Sequence, residues 1–534
     1  MSQIAKSSFI VTVFTALGLG LSFLSNVVIA AKFGAGKDMD VFLAATTLPL
    51  FITSILSGSL NFTFIPVFAE YRAKEPNEIW KVVSSFINLN VVITTVLCLI
   101  GIILAYPIMK AITPGFTEEK LVKSAELLRL LFPIIIFTVI NELMSSVYYS
   151  NQRFVIPSLN KIISPVLTMT YVFLFHDSLS TKSIVCAMLS AAFIQMIALA
   201  GGFFKTHDFN YSFILDYKHP GVVKIIKLML PLILGMFIYR AIPIFDRYFL
   251  SMLQEGSISH IGYAMKLMSV IPPIIVSGIS VSIFPVMSKY AAEKNWDGLK
   301  TIMSKGIRMI FFLSIPFVFF LGIYGIPVVR FVFERGAFNA SDTLAVYRAF
   351  AIYLLAIPGM AMGSVIGQGY YVLQDTKTPT ILGVLEVIIY FTTCILLIPK
   401  INYLAIPAAY VIYFTFALIL NGFIVRHKLG NKGGVKIITS AIKHVSSAAI
   451  CTIVFGLAHK LTTNTLISLG MIVIMFFLYV IVSRYIFKSN EAISLLDKTH
   501  QVIKLLLRLI QIVNQRDIMV LRRYFGKDQM SNMW

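Results

Sequence analysis

The chemically telling residues of this 534-residue chain are the charged side chains that interrupt its long apolar runs. An ion at the centre of a bilayer costs about 2.5–3.5 kcal/mol even on permissive scales, so it marks a transport path or a buried pair. Those lying away from run ends are Glu142, Lys161, Arg240, Asp246, Arg247, Lys266 and Glu386. Cations outnumber acids among them, which suits an anionic cargo better than a cationic one. Lys266 lies deep in its run and is the leading candidate for substrate contact; a snorkelling lysine or a partner for a buried acid is the alternative. Asp246 and Arg247 are adjacent and read as a gate or a helix-end anchor. Glu142 follows Asn141 and precedes Ser145 and Ser146 by about one helical turn, so it is either a proton carrier or a hydrogen-bonded structural acid. Lys161 reads as a snorkelling residue.

The surroundings of these residues define the class of protein. Hydrophobic residues make up 58% of the chain and charged residues 13%, too few to cover the surface of a soluble protein this long. The net charge of +21 is read as setting membrane orientation and meeting anionic lipid, with no nucleic-acid partner expected. Cys98, Cys186, Cys394 and Cys451 all fall in apolar runs without metal-ligand spacing and are expected to be free, buried thiols. No cofactor or metal site is expected. The first apolar run, 9–31, is too long for a signal-peptide core and lacks an A-x-A exit. The chain carries no H-E-x-x-H, P-loop or paired-carboxylate motif, so a carrier is expected and not an enzyme.

Apolar runs of roughly 20 residues, each enough to cross a core about 30 Å thick, place spans near 9–31, 41–68, 82–105, 127–149, 156–175, 184–204, 228–250, 258–287, 307–324, 347–373, 381–398, 404–425, 437–457 and 466–487. The second, eighth and tenth are long and contain Pro or Gly, which suggests tilt or breakage. The segment 106–126, with Lys110, Glu118, Glu119 and Lys120, reads as a solvated turn. Fourteen spans put both termini on one side. Lys and Arg on that side outnumber those opposite by more than two to one, so both termini are expected in the cytoplasm.

The two halves of the chain echo each other at an offset of about 220 residues. Tyr148-Tyr149, Gln152 and Pro157 return as Tyr370-Tyr371, Gln374 and Pro379; Pro66-Val67, Tyr71 and Ala73 return as Pro285-Val286, Tyr290 and Ala292. Gly36, Ala44 and Ser57-Gly58 return as Gly256, Ala264 and Ser277-Gly278. A period of six spans preserves orientation, so the copies should be related by an axis along the membrane normal. The expectation is an all-α polytopic membrane protein. It has an N-lobe at 1–204, a cytoplasmic inter-lobe loop at 205–227, a C-lobe at 228–425, two further helices at 437–487, and a basic amphipathic cytoplasmic tail at 488–534. In the tail Ile493, Leu496, Val502, Leu505, Leu506, Leu509 and Val513 approximate a helical stripe between basic residues, suited to an anionic inner leaflet or, alternatively, to a partner helix.

Several motifs resemble the MurJ (MviN) family of lipid II flippases, within the superfamily that also holds multidrug exporters and polysaccharide flippases. They include Phe33-Gly34-Ala35-Gly36 with Asp40, Leu48-Pro49, Pro114-Gly115-Phe116 and Arg153-Phe154 with Pro157. The second half adds Asp246, Gly256-Ser257-Ile258-Ser259, Tyr263-Ala264, Phe333-Glu334-Arg335-Gly336-Ala337-Phe338 and Gln374-Asp375-Thr376-Lys377-Thr378-Pro379. The resemblance implies a fourteen-span fold and a cargo that is a polyprenyl-diphosphate-linked glycan. It also implies cavity arginines in the first two spans, and there this chain departs. Leu19, Ser25 and Thr53 stand at those positions, and Asn26 stands where an acid often follows. Lys266 matches the family's cationic position in the eighth span. The substrate is thus expected to be lipid II or a related exopolysaccharide or O-antigen unit, with Lys266 and Arg240 as substrate-contacting candidates and Glu142, Asp246, Arg247 and Glu386 as gating or coupling candidates. Arg240 is expected to pair with Glu386, as a stand-in for a bound cation or as a purely structural pair. A multidrug or cation exporter is the alternative, and its cavity would be mainly acidic and aromatic.

Overall fold

The computed structural model describes residues 3–206, 210–375, 377–430, 435–459, 464–494 and 496. All regular structure among them is helical. The first half contains α1 (Gln3–Phe33), α2 (Lys37–Lys74), α3 (Ile79–Ile103), α4 (Ala105–Ile112), α5 (Glu118–Leu131), α6 (Ile134–Ser150), α7 (Val155–Asn160), α8 (Ile163–Leu179) and α9 (Lys182–Thr206). The second contains α10 (Pro220–Arg240), α11 (Ile242–Ser251), α12 (Ser257–Ala292), α13 (Trp296–Phe333), α14 (Ala340–Leu354), α15 (Ile357–Val372), α16 (Lys377–Ile401) and α17 (Ala405–Lys428). The chain continues through α18 (Val435–His459) and α19 (Thr465–Tyr485).

Twelve stretches are long and apolar enough to cross a membrane, and the bent pair α14 and α15 makes a thirteenth. One of the twelve, Lys377–Lys428, runs for 52 residues, about 78 Å if it were one helix. It is two antiparallel spans, because Asn421 bonds Glu386 and Tyr410 packs on Tyr390, a pairing that reverses chain direction at Asn402–Leu404. Counting it as two yields the fourteen spans expected.

Of the three spans expected to tilt or break, the tenth does bend, and other spans break that the sequence reading did not mark. The second and eighth spans are unbroken as α2 and α12, and α2 keeps Pro49 and Pro66 inside its 38 residues. The tenth bends by 40° between α14 and α15, and the fourth and seventh break at Phe132–Pro133 and at Ala241. The segment 106–126 is largely helical, not a solvated turn. There Lys120 pairs with Glu255 at 3.0 Å and Tyr106 donates to Glu118 at 2.9 Å, contacts a free turn would not supply.

The internal echo extends to backbone detail. Gln152 and Gln374 both adopt positive φ, 57° and 55°. Each donates its N–H to the first half's Tyr149 or the second half's Tyr371 carbonyl, and the next residue, Arg153 or Asp375, donates to Tyr148 or Tyr370. Ser180 and Asn402, after the fifth and eleventh spans, form a second matched pair with φ of 47° and 55°.

The chain divides into two compact units: residues 1–274 with 325–425, and residues 275–324 with 426–534. The division falls inside α13 at Tyr324, whose backbone is non-helical at φ −97° and ψ 19°. In the first unit, loops at one end interlock. Ala337 donates its N–H to the Ala31 carbonyl at 2.8 Å, Tyr263 donates to the Gly34 carbonyl at 3.0 Å, and Gly115 donates to Ser251 Oγ at 3.3 Å. Gly34 and Gly336 adopt φ of +62° and +60°, which L side chains rarely take. In the second unit Phe312, Phe320, Phe476, Tyr479 and His444 form a continuous ring cluster. The tail helix expected from 490 onward lies almost wholly outside the described residues.

Candidate functional site

The site is assembled from the apolar helices upward. α12 starts at Ser257, and its free N-terminal N–H groups need an acceptor. Asp40, on α2, supplies it from across the fold. Its carboxylate accepts from Gly256 N at 2.7 Å, Ser259 N at 2.8 Å and Ser259 Oγ at 2.7 Å. Tyr263, one turn on, is tied to Gly34, so the rotation of α12 about its axis is fixed by bonds to two first-half residues, Asp40 and Gly34. That rotation sets Lys266. Its ammonium donates to Asn26 Oδ1 on α1 and lies 5.5 Å from the centre of the Tyr263 ring. Both residues are half-buried.

The neighbouring crossing, α11 on α2, places the second cation. Arg247 donates from Nε to Thr47 Oγ1 at 3.2 Å, and it is near enough to Lys266 for the two like charges to repel. Asp246, next in sequence and only 5% exposed, is engaged elsewhere. It accepts the Tyr390 hydroxyl of α16, with the Tyr410 hydroxyl of α17 as a second donor. Tyr353, Tyr390 and Tyr410 stack edge to face, with ring centres 5.2–5.4 Å apart, and Cys394 is buried beside them. Lys266, Arg247 and Asp246 are therefore brought together, and the two cations are held by neutral oxygens.

The remaining candidates lie apart from this group. Glu142 on α6 accepts from Asn61 Nδ2 of α2 at 2.7 Å, and Ser146 donates to Asn61 Oδ1 at 2.9 Å, a closed structural triad. Glu386 on α16 accepts from Asn421 Nδ2 of α17 at 2.8 Å. The expected Arg240–Glu386 pair is not formed. Arg240 ends α10 against Gly58 of α2, and its Nε is buried without a hydrogen-bond partner. The guanidinium faces α2 at Gly58 instead of α16, and an amide about two turns before the end of α17, Asn421, satisfies the acid. Among the described residues no group of three or more His, Cys, Asp or Glu side chains is placed to hold a metal ion.

Sequence reasoning gave no role to Thr47 or the tyrosine trio, which look like ordinary span residues. It also missed a buried ion cluster in the second unit. Glu491, just past α19, meets Arg308 Nη1 of α13 at 2.6 Å and His444 Nε2 of α18 at 3.5 Å, and accepts from Ser489 Oγ at 2.8 Å. Burial alone would raise its carboxyl; the His444 and Ser489 hydrogen bonds, its own backbone N–H and the Arg308 charge outweigh that and hold it at about 2. The only signal in the sequence was an acid at the start of a basic tail.

The geometry agrees with what the chain resembles. The sequence model of the family described as lipid II flippase MurJ matches residues 29–481. A probable lipid II flippase MurJ of Buchnera aphidicola subsp. Schizaphis graminum (strain Sg) is 28% identical over 398 residues, covering 72% of this chain and 76% of that protein. The solved structure of a lipid II flippase MurJ in an inward closed conformation superposes with a TM-score of 0.78 at 21% identity, covering 90% of this chain and 99% of that one. An inward-facing multidrug resistance transporter of the MATE family, within the MOP superfamily, has the same fold at greater distance: TM-score 0.65, 14% identity, covering 77% of this chain and 95% of that one. With the family model matched over most of its length and the fold shared nearly throughout, this multi-pass membrane chain belongs to the MurJ family.

Proposed function

We propose that this protein flips a polyprenyl-diphosphate-linked sugar precursor, lipid II or a related exopolysaccharide or O-antigen unit, from the cytoplasmic to the outer leaflet by alternating access. The observation that carries the reading is the pair Lys266 and Arg247. Two cations sit within the spans and none of their hydrogen bonds goes to a carboxylate; Asp246 and Asp40 lie near enough to offset part of the Arg247 charge, while the Lys266 charge remains for a diphosphate to neutralise. Arginine would grip phosphate bidentately where lysine offers a point charge, which makes Lys266 the broader and weaker of the two contacts. The exporter alternative calls for an acidic centre; here the acid beside the cations, Asp246, is occupied by tyrosine hydroxyls.

The wider architecture follows from the same reading. The two six-span lobes, 1–204 and 228–425, rock about the cargo, while the interlocked loops of Gly34, Gly256 and Gly336 close the end that the positive-inside bias places outside. Both termini lie in the cytoplasm, and the basic tail meets anionic inner-leaflet lipid. The protein acts as a carrier without catalytic chemistry and without a nucleic-acid partner.

Depletion of the protein in its own bacterium, followed by lipid extraction, tests the reading. A carrier-linked glycan is expected to accumulate, and restoration by Lys266→Arg but not Lys266→Glu is expected to clear it. An unchanged lipid profile together with raised drug susceptibility would overturn the reading in favour of an exporter.

A further inference from the structure

The two cations of the site share an arrangement that neither shows alone. Lys266 is on α12 and its partner Asn26 is on α1. Arg247 is on α11 and its partner Thr47 is on α2. Each bond therefore runs from a second-half helix to a first-half helix, and each acceptor is a neutral oxygen: an amide carbonyl in one case, a hydroxyl in the other. Ion pairs would have cancelled the charges, since a carboxylate at either position would form a charge-assisted bond about twice as strong as a neutral one. The neutral tethers leave the Lys266 ammonium with no acid beside it and Arg247 as a like charge nearby, whereas Arg247 itself is partly offset by Asp246 and Asp40.

We infer that Asn26 and Thr47 are placeholders for the diphosphate, and that their displacement is how the two halves of the chain register the arrival of cargo. This rests on the flippase reading above. In the empty protein, Asn26 and Thr47 hold Lys266 and Arg247 in place and stitch α1 to α12 and α2 to α11. A diphosphate brings stronger, charged acceptors and relieves the repulsion between the two cations, so the ammonium and guanidinium exchange neutral oxygen for phosphate. The exchange breaks two bonds between the halves at once. Other ties between the halves, among them Asp40 to the start of α12, Tyr263 to Gly34, Ala337 to Ala31 and Gly115 to Ser251, do not involve the cations. Asp246 stays with Tyr390 and does not compete for the cargo. Asn26 and Thr47 are thus positioning residues, tuned to be weak.

The test is binding of undecaprenyl diphosphate to the full-length protein in detergent micelles, with four chains compared. If the tethers compete with the ligand, Asn26→Ala should bind more tightly than the parent, by about 3- to 10-fold for one neutral hydrogen bond removed. Thr47→Val, nearly isosteric and without an acceptor, should do the same from the other crossing, and it stands as an independent check if the first variant does not fold. Asn26→Asp should bind at least about tenfold more weakly, because the ligand must then break an ion pair. Opposite signs for alanine and aspartate at one position are what a merely structural asparagine would not give. Asn26→Ala and Thr47→Val binding no better than the parent would overturn the inference while leaving the flippase reading in place. A parent protein that binds no undecaprenyl diphosphate would overturn both.

Discussion

Ala337 gives its backbone N–H to the carbonyl oxygen of Ala31 at 2.8 Å, a contact between the 336–337 turn and the end of α1 that only glycine neighbours permit. A Cβ on Gly336 would collide with the Ala31 carbonyl, and one on Gly34 would lie 2.6 Å from the Ala337 oxygen. The two chain segments thus close on each other reciprocally, each through the other's glycine.

Gly336→Ala should therefore loosen this end of the first unit. The left-handed backbone alone costs a non-glycine residue roughly 1–2 kcal/mol, and the overlap with backbone adds to it. An engineered Ala35→Cys, buried beside the closure, is expected to react with a membrane-impermeant maleimide about tenfold faster when Gly336→Ala is also present. Equal rates would show that closure is held elsewhere.

Asp40 is the remote cap of α12, and its loss strands two donors. Asp40→Ala leaves Gly256 N and Ser259 N without their acceptor, in a site where Asp40 is 2% exposed, while Ser259 Oγ keeps the Gly256 carbonyl. Each stranded buried group costs about 1–3 kcal/mol. A clear fall in the thermal midpoint of the detergent-solubilised protein is expected, with Asp40→Asn between it and the parent because the amide keeps one acceptor oxygen. A midpoint unchanged in both variants would count against the cap.

How far the sequence reaches is visible in these residues. Span number, repeat and the cationic lean of the interior follow from apolar run length and from the offset between halves, which are one-dimensional signals. Lys266 is legible because an ion in an apolar run has no cheap explanation. Asp40 is legible only as a motif residue, since its partners are 216 and 219 positions away. The Arg240–Glu386 pairing failed for a geometric reason: sharing a lobe does not fix helix rotation, and Arg240 faces Gly58 of α2 while Asn421 of α17 reaches Glu386. Asn26 is legible only as a departure from a motif, and Thr47 is an ordinary span residue, until the rotations of α12 and α11 bring a cation to each. The Glu491 cluster needs the chain to turn back after α19, where Lys488 takes φ 46°, and a basic tail hides that turn in its composition.

Glu491 offers a pH test outside the spans. Its carboxyl is held at about 2 against an ordinary 4.5, so the folded state prefers the charged form. The stabilisation is fully present above pH 4.5 and is lost as pH falls from there toward 2. Glu491→Gln is expected to lower stability at neutral pH by about 1–3 kcal/mol, because Arg308 and His444 then lack their anion. The gap between parent and variant should narrow progressively below about pH 4.5. Thermal midpoints across that window check it, and a gap that stays constant would place the effect in packing instead of charge.

Cargo charge should dominate the response to membrane potential. A lipid diphosphate with about two negative charges moving outward across roughly 100 mV, inside negative, gains up to about 4–5 kcal/mol. The protein's own cations are fixed to α11 and α12 by the backbone and travel little by comparison. In proteoliposomes, imposing an inside-negative potential is expected to raise outward flipping at least about tenfold, and collapsing it should abolish the gain. Lys266→Ala removes a contact to the cargo without changing the charge the cargo carries. It should lower the rate at every potential while leaving the slope of rate against potential close to the parent's. A variant whose slope disappears with its lysine would mean that the voltage acts on the protein's side chain and not on the diphosphate.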